Sequence, residues 1–314
     1  MATETAGGML RKAREIGLTK KGNRTLVESA IGVFLLLCAL VSVVTTFAVV
    51  YAIAEETFAF FREVSVVEFF TSTRWTPLFA DTNYGIAPLV VGTLMVTLIA
   101  SVIGLPLGLG AAIYLAEFAG SRTRRTVTPI LEILAGIPTV VLGYFALLFV
   151  TPILRNFIPG LNLFNPLSAG LVMGVMVLPT VSSISADALL AVPRSLREAG
   201  YGLGASKFEL ITKVVVPAAL SGIIASFILA ISRAIGETMI VTLAAGQQPN
   251  FTFDPRDTIA TMTSFIVQAG TGDQPTGSLA ARSLYAVAAV LFTINLLLNI
   301  LSQQVVKRFS EKYE

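Results

Sequence analysis

The chain has 314 residues, of which 54% are hydrophobic and 13% are charged, and its formal net charge is only +3. Its apolar residues come in unbroken runs rather than at the helical or alternating spacing of a soluble core, which excludes a large globular domain. The chain has no histidine, which excludes His-based zinc or iron sites and Ser-His or Cys-His nucleophile pairs. The sole cysteine, Cys38, has no partner for an internal disulfide. The composition therefore predicts an all-α, polytopic membrane protein with no catalytic centre, metal site or cofactor of its own.

Six apolar runs are long enough to cross a hydrocarbon core of about 30 Å. They predict transmembrane helices near residues 30–54, 86–118, 127–154, 167–190, 218–245 and 281–306. The first helix stands apart, between a tail at 1–29 and a loop at 55–85. The other five form a core at 86–306, which includes a loop at 191–217 and another at 246–280, and a tail follows at 307–314.

The first span has some features of a secretory signal. A basic stretch precedes it, and Ala52-Ile53-Ala54 resembles a cleavage site. Its apolar run is much longer than a signal core, however, so the sequence favours an uncleaved membrane anchor.

Lysine and arginine concentrate in the two tails and in the loops after the second and fourth spans. The other loops contain few of them, namely Arg62, Arg74, Arg155, Arg256 and Arg282. Because cytoplasmic segments of membrane proteins are enriched in these residues, both termini and the loop 191–217 are predicted to be cytoplasmic. The loops 55–85 and 246–280 are then on the outer side.

Apolar side chains are frequent in both outer loops. The first contains Phe60, Phe61, Phe69, Phe70 and Trp75, enough apolar area either to dock a protein or to pack on the membrane surface. In the second, Ile259, Met262, Phe265 and Ile266 recur at helical spacing. This pattern predicts a helix at 258–269 that lies on the bundle, with Asp257 as its cap.

Glycine, proline and one acid mark special points in the second to fourth spans. Glycines four residues apart predict close helix packing, and the pairs are Gly104 with Gly108 and Gly170 with Gly174. Pro138, two residues after Gly136, is expected to bend the third span, either as a hinge for alternating access or as an ordinary kink. Asp187, near the inner end of the fourth span, is expected to act as a cap.

The loop 191–217 contains two helix-start signatures in succession. Ser195 with Glu198 and Ser206 with Glu209 each have the spacing of a capping box. Gly200, Gly202 and Gly204 between them permit a sharp turn. The sequence therefore predicts a short helix-turn-helix that ends at Pro217, where the fifth span begins.

This loop is similar to the EAA loop of type I ABC importer permeases. The matching residues, at the family's spacing, are Glu198, Ala199, Gly200, Gly204 and Pro217, with Val214 and Val216 before the proline. Gly200, Val214 and Val216 replace the family's alanine, isoleucine and leucine. The resemblance implies that these residues couple the chain to a separate ATPase subunit; an ordinary amphipathic connector is the alternative. The chain itself has no Gly-x-x-x-x-Gly-Lys-Ser/Thr motif, so ATP and magnesium are expected only on the partner ATPase.

The fifth span contains two charged residues, Arg233 and Glu237, whose spacing places them one turn apart on a single helical face. Charges inside a membrane are costly, so both are expected to face the protein interior. A guanidinium suits a tetrahedral oxyanion because it donates two parallel hydrogen bonds, and Glu237 can accept the proton that phosphate retains and sulfate lacks. Mutual neutralisation within a structural helix pair is the alternative.

Several motifs look like those of PstC-type phosphate permeases. They are Arg74-Trp75-Thr76-Pro77, Tyr84-Gly85-Ile86-Ala87-Pro88-Leu89, Gly92-Thr93-Leu94, Tyr114-Leu115-Ala116-Glu117, Ala135-Gly136-Ile137-Pro138 and Ser232-Arg233-Ala234-Ile235-Gly236-Glu237-Thr238. The resemblance implies a non-enzymatic permease subunit of a phosphate importer in a prokaryotic plasma (inner) membrane, with Arg233 and Glu237 in the translocation pathway. It also implies a PstA-type permease as the second half, a PstB-type ATPase dimer inside, and a PstS-type phosphate-binding protein outside.

Three alternatives accompany this prediction. The chain can be the PstA-type half of the same system, because such chains share several of the motifs. It can serve another oxyanion, sulfate or molybdate. A membrane-embedded enzyme for lipid phosphates is opposed by the lack of histidine, of paired intramembrane carboxylates and of a metal-ligand cluster. Nucleic acid is not an expected partner, because the soluble segments are too short to form a basic face.

Overall fold

The computed structural model describes residues 21–79, 81–275 and 277–309. Within these ranges, four helices are long and apolar enough to cross a membrane, or six spans result if each of two bent helix pairs counts as one. This confirms the predicted all-α membrane bundle. Most of the tail 1–29 and the end of the tail 307–314 lie outside the described residues, so the predicted placement of the termini stays a prediction.

The described helices are numbered in chain order. They are α1 Lys21–Phe61, α2 Val66–Thr71, α3 Ala87–Ile113, α4 Ser121–Ala135, α5 Thr139–Phe145, α6 Thr151–Arg155, α7 Pro166–Leu190, α8 Arg194–Gly202, α9 Lys207–Leu210, α10 Val216–Ala218, α11 Leu220–Ile235, α12 Met239–Ala244, α13 Met262–Thr271 and α14 Leu279–Phe309. Three π-helical turns, Tyr114–Phe118, Ala146–Val150 and Ile211–Val215, continue α3, α5 and α9.

The chain divides into two compact units, Met1–Glu55 and Glu56–Glu314. In the first unit, α1 presents exposed apolar side chains, such as Phe34, Leu36 and Phe47. A helix with this surface suits direct contact with lipid. It is longer than the predicted span 30–54, because helix-forming polar residues on both sides continue it.

In the second unit, α3 and α7 pack along their glycines. A Cβ atom on Gly104 would lie 2.7 Å from the carbonyl oxygen of Gly174, and one on Gly108 would lie 2.6 Å from Cβ of Val181. One on Gly170 would lie 2.7 Å from Cβ of Ile99. The predicted close packing is therefore confirmed, because side chains at these positions would force the two helices apart.

Two of the predicted continuous spans are broken. The third span bends by 88° between α4 and α5, at the Gly136–Pro138 break where a bend was expected, and α4 has no buried residue among those described. The fifth span bends by 69° at Ala219, between α10 and α11. It breaks again after Ile235, so the continuous helix predicted at 218–245 is wrong.

The aromatic residues of the loop 55–85 form an internal core, and the expectation of a docking or membrane-surface face is wrong for most of them. Phe60, Phe69 and Trp75 are almost completely buried. Trp75 packs edge-on against Phe265 of α13, with ring centroids 4.9 Å apart. Phe70 alone among the large aromatics named for this loop stays more than half exposed in the described residues.

Helix α13 lies on the bundle as expected, but it starts later than predicted. Thr261, and not Asp257, is its cap: the Thr261 hydroxyl accepts from the Ser264 amide, and the Ser264 hydroxyl accepts from the Thr261 amide. Asp257 instead accepts a hydrogen bond from the Thr252 hydroxyl at 2.9 Å.

Candidate functional site

The loop 191–217 forms the predicted helix-turn-helix, with one of its two predicted caps. Ser206 and Glu209 make a complete capping box at the start of α9. The box predicted for Ser195 and Glu198 is wrong, because α8 begins at Arg194 directly after Pro193, and Ser195 is already inside the first turn. Gly204 adopts a φ of +82°, a left-handed conformation that favours glycine, and this reverses the chain between the two helices.

An ion pair holds α8 against the membrane bundle. Arg197 Nη1 donates to Glu117 Oε1 at 2.6 Å, and Arg197 Nη2 donates to the carbonyl oxygen of Leu189 at 2.7 Å. One guanidinium therefore joins the loop to the carboxyl ends of the second and fourth spans. Sequence reasoning counted Arg197 only as a basic loop residue; an acid at the end of an apolar span, Glu117, was the available signal.

A second contact lies beside the first. The ammonium group of Lys207, at the start of α9, lies 4.5 Å from the ring centroid of Phe118, which is the residue after Glu117. This cation–π contact stabilises the position of the second helix of the loop relative to the second span.

The residues predicted to couple to an ATPase have different surroundings. Glu198 and Ala199 are exposed on α8. Gly200 is buried, and a Cβ atom there would require the end of the Leu210 side chain to move. Gly204 is at the exposed turn, and Pro217 is within α10, just before the bend at Ala219.

Three exposed apolar side chains stand next to these residues and were missed by sequence reasoning. Leu203 is 90% exposed, Phe208 is 71% exposed and Tyr201 is 51% exposed. Large apolar side chains clustered on a polar turn are typical of a protein-binding surface. We call these three residues the apolar tip.

The structure separates Arg233 and Glu237, which the sequence placed on one helical face. Arg233 is in the last turn of α11 and donates from Nη1 to the Thr180 hydroxyl at 3.1 Å. Glu237 follows the helix end, and its Oε1 accepts from the amides of Met239 and Ile240 at 3.0 and 3.3 Å. Among the described residues, no ion pair joins the two side chains. The carboxylate of Glu237 therefore caps α12, because the first amides of a helix lack partners within it.

A cavity of about 280 Å³ lies between α4 and α7 and includes Thr180, the partner of Arg233. Asp187 also lines it, and its carboxylate makes no hydrogen bond within the described part of the chain, so the expected capping role is wrong. Within residues 21–79, 81–275 and 277–309, no group of three or more His, Cys, Asp or Glu side chains is placed to hold a metal ion.

Comparisons with known proteins agree with this architecture. Residues 104–311 match the family described as binding-protein-dependent transport system inner membrane component. The chain is 33% identical to the probable ABC transporter permease protein YqgH of Bacillus subtilis (strain 168), over 90% of this chain and 92% of that protein. It is 32% identical to the phosphate transport system permease protein PstC of Mesorhizobium japonicum, over 78% of this chain and 79% of that protein.

A solved structure shares the fold. A chain in the crystal structure of a bacterial alginate ABC transporter superposes with a TM-score of 0.61, at 16% identity, over 90% of this chain and 98% of that one. The likeness to this structure concerns the fold, and the family match covers residues 104–311, which include the loop 191–217. The chain belongs to the family of binding-protein-dependent transport system inner membrane components.

Proposed function

We propose that this chain is the PstC-type half of an ATP-driven phosphate importer, and that its apolar tip docks on a separate ATPase. The assignment of phosphate as the substrate rests on the relatives that are named as phosphate permeases. The observation that carries the coupling role is the exposure of Leu203, Phe208 and Tyr201 on a loop that Arg197 ties to two spans. A force applied at the tip thus reaches the bundle through that ion pair.

The complete importer then needs three further kinds of subunit. A PstA-type permease forms the other half of the pathway, a PstB-type ATPase dimer binds ATP and magnesium, and a PstS-type protein delivers phosphate from outside. In this arrangement the loop 191–217 and both termini are cytoplasmic, in keeping with the distribution of lysine and arginine. Arg233 guides the anion, since its guanidinium is exposed beside the cavity and bound only to a neutral hydroxyl among the described contacts.

The coupling role is tested by co-purification. The tagged chain is expressed with its ATPase and second permease, and retained ATPase is measured for Leu203→Asp. As a matched control, Phe253→Asp places the same acid at another strongly exposed apolar position, 73% exposed, in the loop 246–280. We expect Leu203→Asp to reduce retained ATPase at least tenfold and Phe253→Asp to leave it unchanged. Full retention in Leu203→Asp would remove the proposed docking site.

The substrate is tested by ATP-dependent uptake of labelled phosphate in proteoliposomes that contain the whole complex and a phosphate-binding protein. Unlabelled phosphate should compete with the label. Stronger competition by sulfate or molybdate would instead assign the chain to an importer for those anions.

A further inference from the structure

The cavity between α4 and α7 has several polar and charged side chains in a mainly apolar wall. Its volume is about 280 Å³, and a water molecule in the liquid occupies about 30 Å³, so a tetrahedral anion fits with part of its hydration shell. Helix α4 contributes Arg124 and Glu132, and α7 contributes Thr180, Ser182 and Asp187. Thr128 and Ser183 are further polar residues of the wall, and the remaining lining residues are apolar.

One polar group in the cavity wall lacks a partner. Ser182 is 1% exposed, and within the described part of the chain its hydroxyl has no hydrogen bond. Buried hydroxyls are almost always hydrogen-bonded in folded proteins. The Ser182 oxygen is almost inaccessible from the cavity, so the polar side chains that a ligand can reach are the exposed ones of the wall, such as Arg124, Ser183 and Asp187.

The cavity continues from Arg233 toward the loop. Arg233 Nη1 donates to the Thr180 hydroxyl at 3.1 Å, and Thr180 is part of the wall. Asp187 is seven positions later on the same helix, which is about two turns or roughly 10 Å along one face. Asp187 lies near the carboxyl end of α7. At this end, Arg197 of α8 donates a hydrogen bond to the carbonyl oxygen of Leu189.

The charges of the wall distinguish among anions. Carboxylates accept hydrogen bonds but do not donate them, so Asp187 and Glu132 repel an anion that has no proton, such as sulfate. Phosphate near neutral pH retains at least one P–OH group, which donates to a carboxylate, while Arg124 attracts its negative oxygens. Glu237 does not fill this role, because Met239 and Ile240 already donate to its Oε1.

We propose that this cavity is the cytoplasm-side release site for phosphate, with Asp187 accepting the hydrogen bond of its P–OH group. The inference rests on the proposed function and deepens it by naming the site through which the anion leaves. It also assigns the preference for a protonated oxyanion to Asp187 and Glu132 instead of Glu237.

Thiol labelling in the whole complex tests this assignment. In a Cys38→Ser background, Ser183→Cys puts a single thiol on this chain at an exposed position of the cavity wall. A charged thiol reagent is applied to inside-out vesicles with phosphate or with sulfate at equal ionic strength. We expect phosphate at millimolar concentration to slow labelling at least threefold and sulfate to have no effect. Asp187→Asn should abolish the difference.

The matched control is Thr126→Cys, an exposed position on α4 that does not line the cavity, where neither anion should change the rate. Equal slowing by both anions, or by neither, would overturn the release site. Phosphate uptake by the parental complex is measured in parallel. Normal uptake with unprotected labelling refutes this inference alone, whereas no phosphate uptake refutes the proposed function and the inference together.

Discussion

Arg197 and Glu117, which are 80 positions apart in the chain, form an ion pair with a 2.6 Å Nη1–Oε1 distance at the junction of the loop 191–217 with the second span. The side chains are 20% and 8% exposed. A pair this well shielded is sensitive to the loss of one member, because the remaining charge is left in a poorly solvated position. It ties the loop that carries the apolar tip to the end of the second span, next to the contact of Lys207 with Phe118.

Removal of one member of this pair should cost more than removal of both. We expect Arg197→Met or Glu117→Leu alone to lower the free energy of unfolding by about 2 to 4 kcal/mol, somewhat below the range for fully buried pairs. The double variant should lose less than the sum of the two. Thermal unfolding in detergent measures the effect, with Arg256→Met of the exposed Asp254–Arg256 pair as a control that changes little. Additive losses would show that the pair contributes no coupling energy.

The close packing of α3 on α7 predicts different effects at two glycines of one helix. Gly104→Ala should destabilise the protein by about 1 to 3 kcal/mol, because the new methyl group overlaps the backbone of Gly174. Gly110→Ala meets nothing within 4 Å and should be neutral or stabilise by up to about 1 kcal/mol. Melting temperatures of the two variants, compared in the same detergent, check this. Similar temperatures for both would contradict the packing described.

Substitutions of Gly204, at the turn of the loop 191–217, are expected to lower stability through the backbone conformation alone, without a steric clash. Gly204→Ala has open space, but a φ of +82° disfavours alanine by roughly 1 to 2 kcal/mol. Gly204→Asn should be milder, because asparagine tolerates this conformation better. ATPase activity stimulated by the binding protein reports whether the tip is still presented correctly. Gly202→Ala also has open space, lacks the positive φ, and should behave as the parent.

The exposed guanidinium of Arg233 predicts a transport defect without an assembly defect. Arg233→Gln should reduce phosphate uptake at least tenfold, because the attraction for the anion is lost. Arg233→Lys should retain part of it, since the charge remains without the two-pronged geometry. Thr180→Val removes the hydroxyl that holds Arg233 and should have a smaller effect. Uptake at parental level in Arg233→Gln, with normal complex yield, would remove Arg233 from the pathway.

The loop 246–280 predicts a resolvable acid titration. Hydrogen bonds from Arg256 lower the pKa of Asp254 from 3.8 to about 2. A depressed pKa in the folded state means that the contribution to stability is present above the ordinary value and is lost as the pH falls through about 2. Carboxyl carbon chemical shifts followed against pH measure the midpoint. Arg256→Gln should return the pKa part of the way toward 3.8, because the backbone amide of residue 256 still donates to Asp254. An unchanged midpoint would exclude the Arg256 side chain as the main cause.

The sequence predicted the spans and the glycine packing because both depend on short-range patterns: apolar length in one case and spacing by four in the other. It did not predict the break after Ile235. Arg233 and Glu237 have the spacing of one helical face. Only the structure shows that the Glu237 carboxylate instead accepts hydrogen bonds from the free amides of Met239 and Ile240. A local pattern does not show which of two hydrogen-bonding arrangements the backbone adopts.

Contacts between residues that are far apart in the chain were also not predicted from the sequence. The aromatic residues around Trp75 gave apolar area, but their partner, Phe265, follows almost two hundred positions later. The pairing of Arg197 with Glu117 has the same origin. In the loop itself, α8 starts directly after Pro193, so Ser195 is two positions past the cap position and cannot cap the helix.

The buried aromatic core around Trp75 restricts how the molecule can move. Ile86 and Leu89 belong to this core at the start of α3, whereas Glu117 binds Arg197 beyond the end of that helix. The 32 residues from Ala87 to Phe118 separate these points by roughly 48 Å. If the aromatic core stays fixed, it acts as a fulcrum, and a push on the apolar tip displaces the far end of α3 the most.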